Sequence, residues 1–228
     1  MAFWRRLAGL DGVTLRELID MYRALSRDTA APPSVDDPQA TLFANEGENE
    51  TCRRGDMIID STISIAVTAN DPLVKLPDTC IEVRRARIEG GTSPLLPVST
   101  CDLDAFSAQW EAEVGTVTNY VSDYQSGSIL LYPQPETDGT LRMTVRRLPK
   151  DQMSADDDEP EIRAEHHMGI VQWMLYRAFG ITDADMFDSQ RSAAALAEFE
   201  REFGTRSSAR NESWQRSAQD ALSASPVA

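Results

Sequence analysis

Between Thr116 and Pro149 the chain is a succession of short runs, each rich in β-branched or aromatic residues and each cut off by Gly, Pro, Asp or Ser. Thr116–Val121, Ser128–Pro135 and Gly139–Pro149 have the signature of antiparallel strands joined by tight loops. No fold built from helices alone accommodates this stretch. The strand pattern begins earlier. Ser64–Thr68 alternates, Asn70-Asp71-Pro72 is a turn, and Leu73–Pro77 is a short strand. Cys80–Ile88 follows, with Glu89-Gly90-Gly91 predicting a hairpin that returns through Leu95–Val98. Asp102–Phe106 reads as a capped helical turn leading to Trp110. Six or seven strands suffice for a small sandwich or barrel-like sheet.

Helical periodicity flanks this region on both sides. Thr14 with Glu17 three residues later forms a capping box, and Leu15, Leu18, Ile19, Tyr22 and Leu25 fall on one face of a helix over Leu15–Ser26. After the breakers Pro32-Pro33 and Asp36-Asp37-Pro38, a second helix is predicted from Gln39 to about Ile63. Its middle, Asn45–Glu50, is highly polar, and Gly47 and Gly55 each cost roughly 1 kcal/mol relative to alanine. Contacts from elsewhere must therefore hold it. A linker, Asp151–Glu161, carries the acidic run Asp156–Glu159, read as a solvated charge run placed before a helix N-terminus. A third helix, Glu161–Phe179, is apolar on most sides and so belongs at the centre of a packing arrangement. A fourth begins between Asp183 and Asp188 and ends at Phe203 before Gly204. The predicted class is α+β: a four-helix frame with an inserted antiparallel β module and an extended C-terminal tail. The boundaries fall at 1–63, 64–150, 151–204 and 205–228.

Chemistry is sparse. Cys52, Cys80 and Cys101 lack disulfide or metal spacing, and are read as reduced thiols. His166-His167 are adjacent and so point about 100° apart on a helix, which makes a structural role the plain reading even with Glu161 and Glu165 nearby. No GxSxG, HExxH, P-loop or GxGxxG occurs. Gly90-Gly91 is a turn, since no helix follows it. The carboxylate pair of a glycosidase needs no fixed spacing; the sequence leaves that possibility open without favouring it. Neither catalytic residues, a metal nor a cofactor is assigned. The formal net charge of −15 opposes general nucleic-acid binding, which needs Lys and Arg on phosphates. Met1–Leu10 lacks the apolar core and cleavage site of a secretory signal. No run approaches the ~20 apolar residues of a membrane span, so the expectation is a soluble protein with no membrane partner.

The two ends hold the candidate interface residues. Trp214 and Leu222 stand in a stretch of Ser, Ala and Arg that buries too little to fold alone, together with Arg206, Arg210 and Arg216. Phe3 and Trp4 are the corresponding aromatics at the other end. An aromatic in a polar terminus is a candidate partner anchor; the alternative is that it folds back on its own domain.

The order of elements, with Leu76-Pro77-Asp78, Ile81-Glu82-Val83-Arg84-Arg85, Trp110, Gly115–Tyr120, Leu130–Pro135, Val145–Pro149 and Pro160–His167, resembles the head-to-tail adaptor (connector) proteins of tailed bacteriophages, especially the short-tailed type. The resemblance covers Thr14 to Phe203, and its most specific part is the Leu-Tyr-Pro-Gln-Pro strand followed by the Arg-Arg-Leu-Pro strand. The polar second helix departs from the more apolar one of that family. The resemblance implies a dodecameric ring under the portal protein, carrying tail nozzle or tail fibre proteins, with genomic DNA passing through without sequence-specific binding. It implies a helical channel wall, a β module facing outward or toward the tail, and a C-terminal tail, Arg206 to Ala228, that becomes ordered on the portal. It places the protein in the virion neck, made in the host cytoplasm, with no enzymatic activity. A second reading is a tail-associated module recognising a glycan or tail-fibre partner through exposed Tyr120, Tyr124 and Tyr132. A cell-wall hydrolase, requiring convergent acids in a cleft, is a third.

Overall fold

In α1 (Leu15–Ser26) the Thr14 hydroxyl accepts from the Glu17 N–H while the Glu17 carboxylate accepts from the Thr14 N–H, so the capping box forms as predicted. Leu15, Leu18, Ile19 and Tyr22 are buried, whereas Leu25 is exposed. The coordinates are a computed structural model that describes residues 12–28, 32–182 and 186–206. In α2 (Asp37–Arg54), Asp36 caps the Gln39 N–H at 2.8 Å, and Pro38 occupies the first turn, where its missing N–H costs nothing. This helix stops short of Ile63. Gly55 is extended (φ −138°), and Ile59 to Ile63, predicted as the end of the helix, instead open strand β1 (Ile59–Val67).

Two units follow from the contacts: a helical one, up to Ile58 together with Leu148–Arg206, and a β unit over Ile59–Arg147. In the helical unit, α4 (His167–Phe179) packs against α1, α2 and α5 (Ser189–Phe203). Its central position matches its apolar circumference. Gly47 of α2 lies where an added Cβ would come within 3.0 Å of Ile170 and 3.1 Å of Trp173. At Gly169 it would meet the Phe203 ring at 2.5 Å. The propensity cost at Gly47 is thus offset by a close α2–α4 approach.

Two helix starts are later than predicted. The α4 region opens with a 3-10 turn, Ala164–His166, because the Glu161 and Ile162 N–H groups bond sideways to the Glu48 carboxylate. Helix α5 begins at Ser189, where Asp188 accepts from the Gln190 and Arg191 N–H groups, and Phe187 lies exposed before it.

The β unit holds nine strands, one α-helix, α3 (Thr100–Phe106), capped by Ser99, and a 3-10 turn, Trp110–Ala112. One sheet has the order β1-β9-β3, with β3 at Cys80–Ile88 and β9 at Gly139–Arg147. A second has the order β2-β7-β6-β4: Leu73–Lys75, Ser128–Tyr132, Asn119–Val121 and Leu96–Pro97. β5 (Val114–Gly115) and β8 (Gln134–Pro135) form a third, two-stranded sheet. Antiparallel pairs dominate, but β4·β6 and β5·β8 are parallel. The predicted β3 hairpin is corrected accordingly: its return strand keeps one bridge, Ala86–Leu95, and pairs along β6 instead. The strand pattern showed each segment but not its non-local partner.

Every residue of β7 is buried. Ile129 and Leu131 enter a core with Leu141, Met143 and Val145 of β9, while Leu130 and Tyr132 enter a second cluster with Leu103 of α3, Trp110 and Val121. A strand covered on both faces reads as an unbroken apolar run, which is how Ile129–Tyr132 reads. The opposite face of the first sheet is polar. Arg142, Thr144 and Arg146 of β9 stand across from Arg87, Arg85 and Glu82 of β3 respectively.

Candidate functional site

The sequence points to interface residues rather than to a reaction centre, and of its candidates only Arg206 is described. Phe3, Trp4, Arg210, Trp214, Arg216 and Leu222 lie outside the described residues. Arg206 sits at the end of the helical unit, its guanidinium 3.6 Å from the buried Glu50 carboxylate. Beside it Arg54 donates to the Gly204 carbonyl at 2.9 Å and pairs with Glu200 at 3.4 Å. The Arg54 guanidinium lies 5.0 Å from the Phe199 ring and 5.6 Å from that of Trp173. Such cation–π contacts gain strength when desolvated, and this side chain is almost fully buried. The last turn of α2 therefore clamps the point from which the C-terminal segment departs. Arg54 is an internal anchor, and nothing local in the sequence marks it as one.

The polar middle of α2 has an equally specific role. The Asn45 amide donates to the Met153 carbonyl and its oxygen accepts from the Met153 N–H, both at 2.9 Å. Glu48 receives the Glu161 and Ile162 N–H groups. His167 accepts from the Val13 N–H at Nδ1 and faces the Ile162 carbonyl through Nε2, each at 2.9 Å. Those partners fix the neutral tautomer with the proton on Nε2. Its neighbour His166 turns instead toward Glu165, Glu202 and the Phe203 ring, so the two imidazoles do not converge. Among the described residues no group of three or more His, Cys, Asp or Glu gathers to hold a metal. The linker is also tied at its acidic run. The Leu15 and Arg16 N–H groups bond to the Asp158 and Asp156 carbonyls, and the Ser154 and Ala155 N–H groups hold the Asp158 carboxyl below its ordinary range. The run is thus part solvated charge and part backbone cap.

Burial raises the Glu48 carboxyl from 4.5 to about 7, against the lowering effect of its two N–H donors. An acid with a higher pKa folded than unfolded binds more protons when folded. The stability this contributes is complete below pH 4.5 and lost as pH rises through about 7. Glu48→Gln keeps an acceptor for both N–H groups and removes the charge. We expect it to flatten stability between pH 4.5 and 8 and to gain on the order of 3 kcal/mol over wild type at pH 8. Urea titrations across that range check this, and a variant that loses stability at pH 8 would contradict it.

In the β unit the three tyrosines do not form a platform. Tyr120 and Tyr132 are buried in separate clusters, and only Tyr124 is exposed. Tyr124 and Tyr132 meet the Trp110 ring edge-on, each at 6.1 Å. Their hydroxyls bond to Glu111 and Glu113, and the Tyr132 and Ser107 hydroxyls hold the Glu113 carboxyl down. The exposed aromatic cluster that a glycan-binding surface was expected to show is absent among the described residues.

A capped helical unit, a β unit built around the doubly covered β7 and polar groups spent on internal backbone contacts define an α+β fold. The SU10 adaptor protein family matches residues 13–223, and the chain belongs to that family, a group of head-to-tail adaptors of tailed bacteriophages. It is a structural protein of the virion. No curated protein matches the chain significantly. Among the described residues no helix is long and apolar enough to cross a membrane.

Proposed function

We propose that the protein forms a homododecameric ring joining the portal at the capsid vertex to the tail nozzle or tail fibre proteins, with the DNA exit channel through its centre. Family membership over nearly the whole chain carries this reading. Composition supports it: an acidic wall repels phosphate and lets packaged DNA slide past, and the net charge is −15. The clamp at Gly204 supports a division of labour in which the helical unit is a fixed base and Arg206 to Ala228, with Arg210, Trp214, Arg216 and Leu222, contacts the portal. Ordering entropy is then spent only on assembly. Phe3 and Trp4 are the second candidate contact. The expected location is the neck of the virion.

Negative-stain imaging of the protein mixed with portal-containing heads tests the reading. Rings at the vertex are expected with the full chain. A chain lacking Ser207–Ala228 should stay folded by circular dichroism and fail to join heads. Normal joining by the truncated chain would sink the role of the C-terminal segment, and full-length protein that ignores the portal would sink the connector.

A further inference from the structure

The solvent face of the β1-β9-β3 sheet concentrates arginine in a chain that is acidic overall. Arg87 of edge strand β3 stands directly opposite Arg142 of the central strand β9, and Arg85 stands opposite Thr144. Arg146 and Arg84 share one carboxylate, Glu82, at 3.5 Å each. Arg142 pairs with Glu89. Arg85 and Arg87 are exposed and have no ion-pair partner among the described residues. Like charges directly across a strand pair are destabilising. Charge on an edge strand is one way to prevent unwanted sheet extension, which accounts for Arg85 and Arg87. It does not account for setting two cations, Arg87 and Arg142, directly opposite each other. Arg85 and Arg87, unpaired among the described residues and with a third cation, Arg142, opposite Arg87, give this face positive charge that suits an anion.

We infer that this arginine face docks the acidic loop of a second copy of the chain, around Asp156 and Asp157, in the contact that closes the ring; the inference rests on the ring reading above. Charge complementarity selects that occupant. Asp156 and Asp157 are exposed. Their loop is held rigid by the backbone bonds from Leu15 and Arg16 and by the Asp158 cap, so little ordering entropy is lost on docking. A face on one unit meeting a different face on the next copy is the head-to-tail geometry that closes by rotation. Duplex DNA is the less favoured anion, since it would have to approach a chain carrying −15, whose field opposes it.

The test is sedimentation of the full chain, alone and with portal-containing heads, at low and high salt. Wild type should associate, less so as salt screens the contact. R85E/R87E should weaken association on the order of a hundredfold while keeping the wild-type circular dichroism and melting profile. Adding D156R/D157R to the same chain should restore it, which a folding defect would not do. Assembly of R85E/R87E at wild-type strength overturns this interface and leaves the ring standing. Wild type that never assembles, even on heads, overturns both. Loss of duplex-DNA binding in R85E/R87E with self-association intact assigns the face to DNA instead and overturns the proposal.

Discussion

Asp60→Ala should destabilise the β unit by about 3–5 kcal/mol, because it strips a partner from a charge already out of water. The Arg147 Nε donates to the Asp60 carboxylate at 2.9 Å, and both side chains are about 95% buried, with 5% and 6% exposure. Breaking a buried pair from one side costs far more than the pair contributes against an apolar replacement. The double change Asp60→Leu with Arg147→Met should therefore recover most of the loss. Asp60 also accepts from the Thr62 N–H and hydroxyl, but Thr62 is exposed, and water can replace those bonds. Urea unfolding combined with hydrogen exchange of the β1 and β9 amides reads the effect in the right unit. A single mutant within 1 kcal/mol of wild type, or a double mutant worse than the single, would contradict this account.

The second large effect is expected at Asn45, where two physical effects point in opposite directions. Leucine is the better helix former by several tenths of a kcal/mol, so propensity alone predicts that Asn45→Leu stabilises α2. The structure predicts the reverse. Removing the amide leaves both the N–H and the carbonyl of buried Met153 without partners, at about 1–3 kcal/mol for each group. The hydrogen-bond loss wins by several-fold. Expected results are a fall of about 2–5 kcal/mol in stability and faster proteolysis between Lys150 and Glu161. A gain in stability would mean that the linker does not depend on α2 as its hydrogen-bond geometry implies.

This pair of predictions shows what sequence reading could reach. The frame of α1 was readable because its information is local: a cap at Thr14, a box at Glu17 and an apolar stripe repeating every turn. The strands of the β unit were readable for the same reason, as short runs between breakers. The role of Asn45, Glu48 and His167 was not, because their partners at Met153, Glu161, Ile162 and Val13 are remote in sequence. A polar residue that bonds a distant backbone looks in sequence like a polar residue facing water. The end of α2 was misplaced for a related reason. Apolar Met57 and Ile58 prolonged the helical reading, whereas the extended Gly55 ends α2 and the chain goes on into β1. The arginines of β3 and β9 were visible one by one, but their face exists only through the register that sets Arg87 beside Arg142. The candidate interface itself was legible only as composition at the two ends, and of those residues Arg206 alone lies among the described ones.

The β unit begins and ends on neighbouring strands, with Ile59 opposite Arg146 and the Asp60–Arg147 pair beside them. Adjacent strands lie about 5 Å apart. Seen from the helical unit, everything from Ile59 to Arg147 is a loop whose two ends are held together, and the cost of closing such a loop grows only slowly with its length. Such an insertion is a cartridge. Its surface can be exchanged, lengthened or shortened while the frame that carries it keeps the same two attachment points.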